Sequence, residues 1–219
     1  MTRSERVVWR TFSEKDFNPI AVMFGGLWYK RLPNDARGLC NSAELSLHLA
    51  AHTMSWVAEL DSRPIGTALA RFGQPDETTH KWNDLYDHFC AKTKKINSLD
   101  INAELALCAE EKHLGTSNRH EGYGFLELLA VNPDSQGLGI GGMLFTRVEN
   151  YLRSKGASAL CLVTDDGCDW KFYQHKGLVR IASSTAKPPR RPSGAISIKK
   201  RYSKRLAKPK KQCPSNLIH

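Results

Sequence analysis

Between Leu126 and Gly142 the chain reads LELLAVNPDSQGLGIGG, and no other stretch restricts its folding so much. Leu126, Leu128, Leu129 and Val131 form an apolar run of strand length, closed by the turn residues Asn132-Pro133-Asp134. Gln136-Gly137-Leu138-Gly139-Ile140-Gly141-Gly142 follows, with four glycines in six residues, and leads into an amphipathic helix. Glycine adopts positive φ without steric cost, so successive backbone N–H groups can converge on one point. Added to the positive end of the helix dipole, those amides make a site for a phosphate or pyrophosphate. The loop is not a Walker A motif, because no Lys-Ser/Thr follows the glycines. It is a poor dinucleotide fingerprint too, because the glycines follow a proline turn instead of ending the strand. A turn that merely packs a helix close to a strand is the plainer alternative.

The downstream residues carry the argument further. Ile140, Met143, Leu144, Val148, Tyr151 and Leu152 recur at three- and four-residue spacing, and Lys155-Gly156 supplies a basic last turn and a closing glycine. Ala159–Thr164 reads as a buried strand. Asp169–His175 then offers a short helix carrying Phe172-Tyr173, and Gly177-Leu178 enters another strand. This order, from Leu126 to Leu178, resembles the GNAT superfamily of N-acetyltransferases. The acyl-CoA loop of that family has the pattern Gln/Arg-x-x-Gly-x-Gly/Ala, and Gln136, Gly139 and Gly141 fill its fixed positions.

The resemblance implies an α/β (α+β) fold: a mixed, mostly antiparallel central sheet flanked by helices. It implies an acetyl-CoA-dependent N-acetyltransferase that passes the acetyl group directly to an amine, with no metal. Gln136, Gly137, Leu138, Gly139, Ile140, Gly141 and Gly142 would hold the pyrophosphate. The backbone of Leu129, Ala130 and Val131 would pair with the pantetheine amides, because in the family this strand splays from its neighbour. Tyr173 takes the place of the family's general acid. A phenol of pKa roughly 10 can share a proton with a thiol of roughly 8.5 at modest cost; an aromatic that only packs the short helix is the alternative. Glu127 is the candidate general base. Strand alternation turns it to the face opposite Leu126 and Leu128, and a structural ion pair is the competing role.

Before this region, Arg6–Thr11 reads as a first strand, Ser13 as the cap of a helix reaching Leu27-Trp28, and Ala43–His52 as a second helix. Met54–Leu60 and Ile65–Phe72 form a hairpin around Asp61–Pro64. Gly73–Gly124 is longer than a minimal GNAT needs. It has helical character at Trp82–Lys95 and Ile101–Leu114 and is read as an insertion over the acceptor side, either a lid or a packing excursion. Beyond the basic, proline-rich Lys187–Pro192, Ala195–Leu206 resembles the last strand that closes many GNAT sheets. One domain over 1–206, with its insertion at 73–124, and a basic disordered tail over 207–219 are expected.

Charge is divided unevenly. Through Asp169 there are 18 Lys and Arg against 22 Asp and Glu; from Trp170 onward there are 14 against none, and the net is +10. A second function follows from that segment: an acyl-CoA binder without turnover that contacts nucleic acid or the ribosome through its basic C-terminus. Tyr202 is the only aromatic among those charges beyond Tyr173, which weakens base recognition. Six scattered cysteines without C-x-x-C spacing, and no apolar leader or membrane-length run, point to reduced thiols in a cytoplasmic protein. Cys168 with His175 is discounted as a nucleophile pair. Asp165, Asp166 and Asp169 suit capping better than a metal, and His113 and His120 suit the surface. The acceptor, a small molecule or a protein amine, stays open, as does a homodimer.

Overall fold

A computed structural model describes residues 6–29, 32–96, 122–165, 167–186 and 197–206. Its centre is a seven-stranded sheet in the order β1-β2-β3-β4-β5-β7-β6. The strands are β1 Val8–Arg10, β2 Met54–Leu60, β3 Arg63–Arg71, β4 Tyr123–Val131, β5 Ala159–Thr164, β6 Val179–Ala186 and β7 Ser197–Arg205. Neighbours are antiparallel except β4 and β5, which run parallel. The expected closing strand does not close the sheet: β7 inserts between β5 and β6 and leaves β6 at the edge.

The β2–β3 connection is tighter than expected. Asp61 and Ser62 adopt φ of 49° and 62°, the geometry of a two-residue turn whose twist suits a hairpin, so Arg63 and Pro64 already belong to β3. At the sheet's far edge the Arg10 guanidinium ties β1 to its surroundings. It donates to both Asp16 oxygens at 2.6 and 2.7 Å and to Glu59 Oε2 at 2.7 Å.

Helices α1 (Phe17–Gly25) and α2 (Asn34–Ala51) cover one face of the sheet. Ile20, Phe24, Leu45 and Leu49 pack there on Val57, Leu69, Leu128 and Ala130. Helix α2 begins nine residues earlier than its sequence suggests. Gly38, Asn41 and Ser42 are weak helix formers, but Ala36 and Cys40 bury against Tyr29 and Leu32 and hold the first turns. Helix α3 (His80–Lys94) lies on α2, with Tyr86 against Ala43 and Leu47, while Phe17 stacks on Trp82 and Phe89. Helix α3 thus adds a layer on this side. The insertion's second expected helix, His113, His120, Asp166, Lys187–Pro192 and the tail 207–219 lie outside the described residues.

Helix α4 (Ile140–Ser154) covers the opposite face, where Ile140, Leu144, Val148 and Leu152 meet Ala58, Ala68, Ala70 and Leu126. Contact there is close: a Cβ added to Gly124 would stand 2.3 Å from Leu152 Cδ2, and Leu152 is fully buried. Gly124→Ala should therefore destabilise the protein by about 1–3 kcal/mol through overpacking. A thermal melt checks it, with an expected drop of roughly 2–4 °C per kcal/mol for a chain of this size. An unchanged melting point would mean that β4 and α4 do not meet as described. Among the described residues no helix is long and apolar enough to cross a membrane.

Candidate active site

Strands β4 and β5 share only three residue pairs, Tyr123↔Ala159, Gly124↔Leu160 and Phe125↔Cys161. Beyond Phe125, β4 continues to Val131 paired to β3 alone, and beyond Cys161, β5 continues to Thr164 paired to β7 alone. A wedge opens between two parallel strands, and their facing backbone groups have no partner strand there. Asn132 N–H donates to Ile65 O at 2.8 Å. Because backbone groups alternate along a strand, the N–H and C=O of Leu129 and Val131 then point into the wedge. Those of Ala130 turn to β3.

The glycine loop sits at the end of the wedge. Gly137 and Gly139 have φ of 82° and 75°, and a Cβ on either would meet nothing within 4 Å. Packing therefore does not select glycine here; the left-handed backbone does. Gly139 is the N-cap of α4, and the helical ladder starts with Met143 N donating to Gly139 O at 3.0 Å. The N–H groups of Ile140, Gly141 and Gly142 precede that first bond and lack intrahelical acceptors. The side chains of Ile140 and Leu144 are buried, which fixes the helix under this array. Lys176 completes it. Its Nζ stands 3.3 Å from the Cβ position of Gly142, and no carboxylate among the described residues pairs with it. Free amides, open space and a cation together fit a pyrophosphate.

Helix α5 (Trp170–His175) abuts the loop, with the Phe172 ring 4.0 Å from the Cβ position of Gly141. Asp169 caps it, accepting from Phe172 N at 3.3 Å, as the capping reading expected. Tyr173 is half-buried and packs on Phe145 and Phe172, with centroids at 6.5 and 5.3 Å, so it approaches from the α4 side.

Glu127 approaches from the other side. Leu69 pairs with Leu128 and Ala70 with Leu126, so Glu127 is the extra residue of a bulge in β4. The bulge breaks the alternation expected from sequence: Leu126 enters the α4 core, whereas Leu128 joins the α1–α2 core. Glu127 is thus opposite Leu126, as read, but not opposite Leu128. Its Oε1 accepts from Arg71 Nε at 2.5 Å, and the buried Arg71 guanidinium lies 4.3 Å above the Phe125 ring. Nothing in the sequence singled out Arg71, which meets Glu127 only once β3 and β4 pair.

Cys168 is half-buried, and burial with the adjacent Asp165 carboxylate pushes its thiol up to about 12. A thiolate is therefore scarce at neutral pH. Cys168 should stay largely unlabelled after brief iodoacetamide treatment at pH 7.5, as read by peptide mass mapping; rapid labelling would contradict this environment. Among the described residues no cluster could hold a metal ion.

The Acetyltransferase (GNAT) family model matches residues 24–178. The chain belongs to the GNAT acetyltransferase family. As a GNAT enzyme it is an acyltransferase that takes acetyl-CoA as donor, and the wedge, the amide loop and Lys176 are features of its own structure that suit that donor. No curated protein sequence matches the chain. Solved structures resemble its fold. One is an N-acetyltransferase from Staphylococcus aureus Mu50, at 14% identity over 92% of this chain and 99% of that one, with a TM-score of 0.52. Another is the ribosomal-protein-S18-alanine N-acetyltransferase from Escherichia coli, at 10% identity over 97% and 99%, with a TM-score of 0.52. A third is smu.2055 from Streptococcus mutans UA159, at 12% identity over 91% and 99%, with a TM-score of 0.56.

Proposed function

We propose that this GNAT enzyme, in the cytoplasm, transfers acetyl directly from acetyl-CoA to an amine whose nitrogen enters from the α1–α2 face. The observation that carries this reading is the wedge beyond Phe125↔Cys161, flanked by chemically different groups on its two faces. Tyr173, on the α4 side with the phosphate loop, is the group for the departing sulfur: its phenol hydrogen-bonds to or protonates the thiolate. Glu127, on the other side, faces the incoming amine. Arg71 occupies one of its carboxylate oxygens, and the pair presents polar groups to an amine on this face. The oxyanion of the tetrahedral intermediate draws on strand N–H groups in the wedge.

The competing reading, a nucleic-acid binder without turnover, draws on the basic C-terminal segment. Part of that segment has other duties. Residues 197–205 form β7 inside the sheet, and Lys204 bonds Glu149 Oε1 at 2.9 Å and Lys176 O at 2.8 Å. The deciding experiment is calorimetric binding of acetyl-CoA, followed by a screen of defined amines for release of free thiol. Micromolar binding with thiol release by one amine class supports the enzyme. Binding without release by any amine, together with a salt-dependent shift of RNA lost on removing residues 199–219, supports the other reading.

A further inference from the structure

His52 directly follows α2 and precedes β2, and its imidazole has two unlike nitrogens. Nδ1 lies 2.6 Å from Leu49 O. A carbonyl can only accept, so Nδ1 carries the proton and the neutral ring presents its lone pair at Nε2. Nε2 has no hydrogen-bond partner among the described residues. His52 stands at the end of β3: Thr53 N–H donates to Ala70 O at 2.8 Å and Phe72 N–H to Thr53 Oγ1 at 2.9 Å, next to the Arg71 that bonds Glu127 of the β4 bulge. Glu127 itself is two residues past the last β4–β5 pair, at the apex of the wedge. A neutral base, fixed in tautomer, therefore stands beside the strand end whose Arg71 holds the Glu127 carboxylate.

We infer that His52 Nε2, directly or through one water, is the proton acceptor for the amine substrate, with Glu127 holding the resulting imidazolium by charge. This deepens the transferase reading and rests on it. The ammonium gives one proton to Nε2, and His52 passes it to solvent. The freed lone pair attacks the thioester carbonyl carbon, the C–N bond forms and the C–S bond breaks. The sulfur leaves with the bonding pair and takes a proton from Tyr173, which regains one from solvent, while the second amine proton leaves through the same imidazole. Burial lowers the His52 pKa below the ordinary 6.5, against the Leu49 hydrogen bond and the Glu127 and Asp76 carboxylates, which raise it. The ring is thus unprotonated at neutral pH, as a base must be.

Closing α2 is the purely structural role open to His52, and His52→Gln can keep that bond to Leu49 O while removing the base. Two measurements test the assignment. The first is an NMR titration of the wild-type histidine nitrogens. It should show His52 as the Nδ1–H tautomer with a midpoint below 6.5; a protonated ring at pH 7 overturns the inference, whatever the turnover. The second follows thiol release from acetyl-CoA with a pool of amino-acid amides, spermidine and benzylamine. His52→Gln should lower kcat by about 10²–10³-fold with KM for acetyl-CoA unchanged, and should erase the acid limb of the rate profile. Imidazole added to His52→Ala should restore part of the rate. Unchanged kcat and pH profile in His52→Gln overturn the inference. If the wild type binds acetyl-CoA but acetylates none of the pool, the transfer reading is in difficulty, and the titration alone still decides the state of His52.

Discussion

Gly139→Glu should abolish useful acetyl-CoA binding while leaving a folded protein. Gly139 caps α4 at φ 75°, where a side chain brings strain of about 1–2 kcal/mol but meets no neighbouring atom. The melting point should fall only by a few degrees, at roughly 2–4 °C per kcal/mol. Affinity has more to lose, because the new carboxylate would stand among the amides of Ile140, Gly141 and Gly142 and repel the pyrophosphate. A loss of about 100-fold or more is expected, equivalent to roughly 2.8 kcal/mol at 1.4 kcal/mol per tenfold. Gly139→Ala carries the same backbone strain without the charge and should lose about tenfold at most. Calorimetry on the three proteins separates the terms. Equal affinities in wild type and Gly139→Glu would move the phosphate site away from this loop.

Arg71→Leu has the largest expected effect on stability. Arg71 is 4% exposed and the Glu127 side chain 15%, so removing the guanidinium leaves a carboxylate in a nearly dry site without its partner. Breaking such a pair costs about 3–5 kcal/mol, whereas replacing both partners by apolar groups is often close to neutral. Chemical denaturation should show that loss in Arg71→Leu and most of it recovered in the double variant with Glu127→Leu. The recovery, read as a double-mutant cycle, is the decisive quantity. If the double variant is no more stable than Arg71→Leu, the ion pair is not what holds these strands in register. The double variant should also lose transferase activity while regaining stability, which separates the two duties of Glu127.

Elements written in a single run of residues were legible before the fold was known. β2 and β5 begin and end where alternation and apolar composition put them, and α4 starts at the glycine loop. The sheet with its flanking helices follows the resemblance. What the sequence hid depends on pairs far apart in the chain. The bulge at Glu127 is a property of β3 against β4, and Arg71 reaches Glu127 across 56 positions. His52 looks like the last residue of a helix until Thr53 pairs with the end of β3 and brings it beside Arg71. The first half of α2 was missed because its stability comes from Tyr29 and Leu32, not from local propensity. Backbone alternation also separates Leu129 and Val131, whose groups face the wedge, from Ala130, whose groups turn to β3, a distinction no side chain announces.

Three residue pairs are a short seam for a seven-stranded sheet. On one side of it lies the four-strand plate β1 to β4, on the other the three-strand plate of β5, β7 and β6, and apolar residues of α4 pack against both. A chain-like molecule lying in the gap with amides of its own would serve as a rivet, giving each plate the edge partner it lacks. The stiffness of the sheet would then depend on the donor, and amides on both banks of the gap, including those of Leu129 and Val131, would exchange with solvent far more slowly once it is in place. In a loaded enzyme the sheet would be continuous across the gap, so the acceptor would meet a finished surface only after the donor had arrived.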